Sequence, residues 1–274
     1  MNNNQSMKIC KFYVKGKCTQ ENCKFVHKDN ICRNYFLQAK CKHGDKCKFD
    51  HSYKIRKHPK NTTDFKPNHK RCSMNIEIAD GNQEKYNKDI YKNDVIIVKN
   101  MMQQEENNMY YNQLLKEIEA CGIPEDELMK LWHGDTHLIA DDKLDWKEKV
   151  PTFEKIIKRI EEYFGMVVKS TRFNHYKDTN AWKPFHHDAA AFKPEIAKYQ
   201  NMTVAISFGV TRDTAFEFND NKVTLSIPQH DGDVYTFSEN VNIEWKHGIP
   251  QVTPEKYEEK GRISIIAWGF VEQK

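Results

Sequence analysis

Six of the eight cysteines fall between positions 10 and 47, and with two histidines they repeat one order: Cys10-x7-Cys18-x4-Cys23-x3-His27, then Cys32-x8-Cys41-x5-Cys47-x3-His51. Three thiolates and one imidazole make a closed tetrahedral set suited to zinc. Nothing else in the chain limits its segment so tightly, because so small a module has too little core to fold alone and takes its stability from the metal. No apolar run reaches the length of a membrane span, and the opening MNNNQSMKIC lacks the apolar stretch of a secretory signal. The expectation is an intracellular, reducing compartment, cytoplasm or nucleus, where cysteines stay thiols or bind metal. Cys72 and Cys121 stand alone.

The residues between the ligands point to a partner. Phe25 and Phe49 lie between the third cysteine and the histidine of each repeat. Phe12, Tyr13, Tyr35 and Phe36 follow the first cysteine, and Lys11, Lys24, Lys42, Lys46 and Lys48 interleave with them. Aromatic faces beside cations suit stacking on unpaired bases with phosphate held nearby; the alternative is that the aromatics pack a miniature core and the module meets protein. Charge is divided in the same sense. Residues 1–72 hold 18 Lys or Arg against 5 Asp or Glu, a formal +13, while the whole chain is +4, which leaves −9 on residues 73–274. A basic front on an acidic body fits a front that meets phosphate.

Composition divides the chain into a metal-stapled module at 1–55, a basic and mostly irregular linker at 56–93, and a larger domain at 94–274. Within the linker only the alternation Met74, Ile76, Ile78 has strand character. Regular pattern begins with the strand-like DVIIVKN at Asp94. One helix carries Met109, Leu114, Leu115 and Ile118 and stops at Gly122. A second starts near Pro151, sets Phe153, Ile156, Ile157, Ile160 and Phe164 on one face, and stops at Gly165. Short strands follow: VVKSTRF, MTVAISFG, KVTLSI, DVYTFS, NIEWKHGI and RISIIAWGF. Two amphipathic helices followed by many strands predict an α+β domain on a sandwich or barrel-like core.

The chemistry-bearing segment is RFNHYKDTNAWKPFHHDAAAF, residues 172–192, where His186 and Asp188 form an H-x-D pair. With one distant histidine they make the two-histidine, one-carboxylate face of non-haem iron(II) oxygenases, which leaves the opposite positions for a cosubstrate and oxygen. A lone H-x-D is a weak signal. Its setting is stronger: Asn174-His175-Tyr176 precedes it, and ISFGVTRDTAFEF, HDGDVYTF, WKHGIP and GRISIIAWG follow in order.

This order resembles the AlkB family of nucleic-acid dioxygenases over roughly residues 94–271, and the cysteine module resembles the CCCH zinc fingers, which usually bind single-stranded RNA. The second finger has that family's commonest spacing; the first is one residue shorter in two intervals. The resemblance implies a double-stranded β-helix (jelly-roll) core with flanking helices. It also implies iron(II) on His186, Asp188 and His247, with His230 a competitor for the last place, and 2-oxoglutarate held by Arg262, Asn174, Tyr176 and Ser264. The segment LWHGDTHLIADD stands where the family has its nucleotide lid, so Trp132, His133 and His137 become candidate base contacts, beside Phe25 and Phe49 in the fingers. Two departures matter. Trp268 stands in place of the family's second arginine, and Ala189, Ala190 and Ala191 replace an acidic base reader.

The sequence thus predicts an Fe(II)/2-oxoglutarate dioxygenase acting on single-stranded nucleic acid, RNA rather than DNA, by oxidative N-demethylation, with zinc fingers capturing the substrate. Two rivals are a 2-oxoglutarate oxygenase that hydroxylates a base or a protein side chain, and an RNA-binding protein with an inactive oxygenase domain. No membrane partner is expected, and a monomer is assumed.

Overall fold

A computed structural model describes residues 9–38, 40–53, 74–132, 136–220 and 222–274. The chain divides into two compact units, Met1–Lys70 and Arg71–Lys274. His133, one of the candidate base contacts, lies outside the described residues.

The first unit builds one device twice. A short helix, α1 (Lys11–Val14) or α2 (Arg33–Gln38), follows the first cysteine of each repeat. A single parallel bridge ties the ends together, Ile9 with Val26 and Ile31 with Asp50, and the backbone N–H groups of Cys10 and Cys32 donate to the carbonyls of Val26 and Asp50. Helices this short do not persist on propensity, so the ligand cluster between bridge and helix is what they rest on.

The second unit runs β1 (Asn75–Asp80), β2 (Asp94–Lys99), α3 (Met109–Ala120), α4 (Glu125–Leu128), β3 (Met129–Trp132), β4 (His137–Ala140), α5 (Pro151–Phe164), β5 (Val167–Tyr176), β6 (Lys183–His186), α6 (Pro194–Ala197), β7 (Met202–Gly209), β8 (Arg212–Phe218), β9 (Thr224–Gln229), β10 (Val234–Ser238), α7 (Glu239–Glu244), β11 (Trp245–Ile249) and β12 (Arg262–Phe270). Eight strands form the major sheet in the order β1-β2-β10-β7-β12-β5-β4-β3, and four form the minor sheet in the order β6-β11-β8-β9. Apart from the parallel pair β1–β2, every pairing is antiparallel. The non-sequential neighbours of both sheets are the crossovers of a jelly roll. None of the described helices is long and apolar enough to cross a membrane.

Alternation along β12 explains the layers. Ile263, Ile265 and Ala267 join the buried cluster that includes Leu114 of α3 and Phe153, Ile156 and Ile160 of α5. Ile266, on the opposite face, packs in a second cluster with Phe216, Phe218, Tyr235, Phe237 and Trp245. Pro151 opens α5, and Gly165 closes it at φ 61°, a left-handed cap natural to glycine.

Two sequence expectations are redrawn. Residues 74–93, which composition assigns to the linker, lie in the second unit, and 75–80 form β1. The strand is an edge with Ile76 and Ile78 exposed, held by backbone pairing to β2 rather than by a buried face; that is why apolar content gives it away so poorly. NIEWKHGI is half helix: α7 ends at Glu244, and only Trp245–Ile249 is strand.

Candidate metal centres

In the first unit the ligand atoms of Cys10, Cys18, Cys23 and His27 lie within 4.8 Å of one another, as do those of Cys32, Cys41, Cys47 and His51. The Tyr13 N–H points at Cys10 Sγ, 3.4 Å away. In the second repeat the Tyr35 backbone N–H draws the Cys32 thiol down to about 7, towards the thiolate that zinc needs. The aromatics divide into two sets. Tyr13 stacks on His27 with ring centroids 4.1 Å apart, and Tyr35 on His51 at 4.3 Å; these pack the sites. Phe12, Phe25 and Phe49 stay 52%, 50% and 56% exposed, so the core does not consume them.

The second unit brings together His186, Asp188 and His247 from three places: the end of β6, the residue that caps a tight turn at Ala189–Ala191, and the middle of β11. The donor atoms again lie within 4.8 Å. His186 is opposite His247 in the β6–β11 register. Asp188 Oδ1 lies 3.6 Å from His247 Nε2 and 3.9 Å from His186 Nε2. Its other oxygen, Oδ2, accepts from Thr203 Oγ1 and from Trp268 Nε1, each at 2.8 Å. One oxygen is therefore tethered and the other faces the imidazoles. His186 Nδ1 donates to the Pro184 carbonyl at 2.9 Å, which leaves Nε2 with its lone pair toward the cluster. The backbone N–H of Asp188 donates to Asn242 Oδ1 at 2.8 Å.

Electrostatics prepares these groups as ligands. Burial, followed by the charges of His247 and Lys183, pushes the His186 pKa down to about 2, and burial holds His247 at about 4. Burial would raise Asp188, but His247, His186, Lys183 and the Trp268 N–H outweigh it and hold the carboxyl below its usual range. Two neutral imidazoles and one carboxylate on one face suit iron(II), and no thiolate joins the set.

Arg262 is 1% exposed. Its Nη2 donates to Ser207 Oγ at 2.7 Å, its guanidinium stands 5.0 Å over the Tyr176 ring, and its Nε and Nη1 are buried with no partner among the described residues. A fork with two unmatched N–H groups fits a carboxylate. The β12–β5 register sets Arg262 opposite Tyr176 and Ser264 opposite Asn174. Both ends of the Asn174 amide are engaged: Oδ1 accepts from His137 Nε2 at 3.2 Å, and Nδ2 donates to the Ser264 carbonyl at 3.0 Å. His137 is buried and stacks on Tyr176 at 4.7 Å. It lies inside the site rather than over it. Trp132 is half-buried, its ring 5.7 Å from that of His186. His230 sits exposed before β10, beside Thr211, and does not join the cluster. His187 turns its Nδ1 to the Asn242 carbonyl and its ring edge to Phe192.

Residues given no role from the sequence also build this site: Thr203 and Ser207 by their hydrogen bonds, Trp268, noted only as a departure from the family, by its bond to Asp188, Asn242 by its grip on Asp188, and Lys183 and Arg172 by their charge. Alternation would have found the first three, since 203 and 207 share the face of β7 that 262 and 268 share on β12. Asn242 lies on a helix that the sequence does not announce.

Residues 9–27 match the family described as RNA-binding, Nab2-type zinc finger, and residues 28–54 match the CCCH zinc finger domain. No curated protein matches the chain. Among solved structures it is similar to that of OsALKBH1, with TM-score 0.43 and 12% identity over 64% of this chain and 97% of that one. It is also similar to a Pseudomonas putida prolyl-4-hydroxylase, with TM-score 0.37 and 11% identity over 61% and 91%. The amino-terminal unit thus carries two zinc fingers of the CCCH type, and the carboxy-terminal unit is a jelly roll with a two-histidine, one-carboxylate cluster that matches the iron site of 2-oxoglutarate oxygenases.

Proposed function

We propose that the chain is an iron(II)- and 2-oxoglutarate-dependent dioxygenase that removes N-methyl groups from single-stranded RNA delivered by its zinc fingers. The observation that carries the reading is the convergence of His186, Asp188 and His247 in the same jelly roll that buries Arg262 with its Nε and Nη1 unmatched among the described residues. Iron(II), when bound there with the keto acid and dioxygen, supplies the power to oxidise an unactivated C–H bond. Everything else falls to the chain. His186, Asp188 and His247 hold the metal. Arg262 holds the far carboxylate of 2-oxoglutarate, with Tyr176 beneath it and Asn174, Ser264 and His137 fixing the wall. His137, with its stacking and its bond to Asn174, positions rather than covers.

His186 is the exposed edge of the cluster, with 21% of its side chain accessible against 8% for Asp188 and 5% for His247, so substrate approaches past His186 and Trp132. A nucleobase stacking on Trp132 would bring its methyl group to that edge. Exposed Phe25 and Phe49, set among lysines, offer faces for unpaired bases. That the matched finger family is described as RNA-binding favours RNA as the strand.

The test is incubation of the iron-loaded chain with 2-oxoglutarate and methylated RNA and DNA oligonucleotides, following modified nucleosides by mass spectrometry together with formaldehyde and succinate. Loss of a methylated nucleoside with stoichiometric formaldehyde, abolished in His186→Ala, is the expected result. Succinate with a hydroxylated product and no formaldehyde would replace demethylation by hydroxylation. No oxygen-dependent succinate at all would leave an RNA-binding protein without turnover.

A further inference from the structure

Lys183 is the residue of the second unit that its sequence setting least explains. It opens β6, three residues before His186, and is 5% exposed. Its ammonium stands 5.3 Å over the ring of Trp132, and among the described residues no carboxylate oxygen lies within ion-pair distance of it. A buried ammonium without a paired anion is costly, and one placed in a wall of a ligand site is matched when an anionic ligand arrives.

Its location identifies which anion. Lys183 shares β6 with His186, and the Trp132 ring under its ammonium lies 5.7 Å from the His186 ring, whereas Arg262 lies on β12 and stands over Tyr176. Lys183 therefore belongs to the metal side of the site, and Arg262 to the side of Tyr176. Among the described residues the carboxylate that bears on Lys183 is Asp188, and both of its oxygens are already directed at other partners. An anionic group arriving at the metal side of the site would supply the partner that Lys183 lacks among the described residues.

We propose that Lys183 is a second cationic contact for the keto acid, holding the carboxylate next to the keto group at the metal end while Arg262 holds the far one. This inference rests on the functional reading above.

Calorimetry with Mn(II), which accepts the same donors without driving oxidation, tests it on the full chain. Two ligands are compared: 2-oxoglutarate, and 2-oxopentanoate, which keeps the keto acid end and lacks the far carboxylate. Lys183→Met should weaken both at least tenfold and by the same factor, with Mn(II) affinity not reduced, and Lys183→Arg should recover most of the loss. Arg262→Met should instead erase the preference for 2-oxoglutarate. Loss confined to 2-oxoglutarate in Lys183→Met would assign the ammonium to the far carboxylate and overturn the proposal. Unchanged binding of both ligands, or an equal fall in Mn(II) affinity, overturns it as well. Lys183→Gln carries the same expectation should the methionine variant not fold. Failure of the wild-type chain to bind either keto acid would remove the functional reading first, before any variant is compared.

Discussion

The two oxygens of Asp188 are made unequal by Thr203 and Trp268, which tether Oδ2 while Oδ1 faces the imidazoles. Hydrogen bonds of this kind orient a ligating carboxylate, and losing one typically lowers metal affinity 10- to 100-fold. Trp268→Phe keeps the ring and removes the N–H, so Mn(II) affinity should fall about tenfold; Thr203→Val should act similarly, and an unchanged affinity in both would mean the tether is idle. The ligands themselves are legible in the sequence because only a few residue types bind iron. The tether is legible only through strand alternation, and the Asn242 clamp on Asp188 not at all. Two further histidines give the fold a pH dependence. Burial lowers His137 to about 3 and His175 to about 4, against about 6.5 in an unfolded chain. The folded state then binds fewer protons than the unfolded one, so this stability is complete above about pH 6.5 and is lost as pH falls toward 4. Urea midpoints should decline over that window, and His175→Leu should flatten the decline; a midpoint independent of pH from 7 to 4.5 would show that these rings protonate freely in the fold.

At the scale of elements, the pairing of β6 with β11 decides whether the cluster exists. His247 meets His186 across that pairing, and the register shifts between His247 and Ile249, at Gly248. A Cβ at Gly248 would lie 2.7 Å from the Lys183 carbonyl oxygen and 3.1 Å from the Phe185 nitrogen, both backbone atoms with little room to yield. Gly248→Ala should therefore push β11 from β6, lower Mn(II) affinity at least tenfold and lower the thermal midpoint; normal metal binding would show that the pairing tolerates the shift. By contrast Ile265→Ala, on the helix-facing side of β12, should cost about 2–5 kcal/mol of stability in urea titration while sparing metal affinity in the folded chain. Elements with a buried face, such as α5 and β12, could be read from apolar periodicity because burial imposes it. The edge strand β1 shows only the short alternation Met74, Ile76, Ile78, and the helix α7 shows nothing. The first has exposed Ile76 and Ile78, and the second takes its shape from a crossover that returns the chain to β11 rather than from its own pattern.

On the scale of the whole molecule the charge division becomes a division of labour. A domain with a formal −9 over residues 73–274 repels a polyanion at long range, while residues 1–72 carry +13. Contacts from basic side chains to phosphate release counterions, so affinity that resides in the fingers should fall steeply with salt, whereas stacking on Phe25 and Phe49 should be less sensitive. If the fingers supply local concentration rather than catalytic groups, their benefit depends on the length of the strand they can grip. Cys18→Ser combined with Cys41→Ser removes one ligand from each zinc set. The expectation is a loss of about 10²-fold or more in affinity for a long single strand, within the range that linking two binding modules supplies, and a raised KM on that substrate with kcat preserved. On an oligonucleotide too short to occupy both units, the variant should turn over like the wild type. Equal collapse of turnover on the short substrate would mean that the fingers complete the catalytic site, and the two units could then no longer be treated as a capture device and a separate oxidising one.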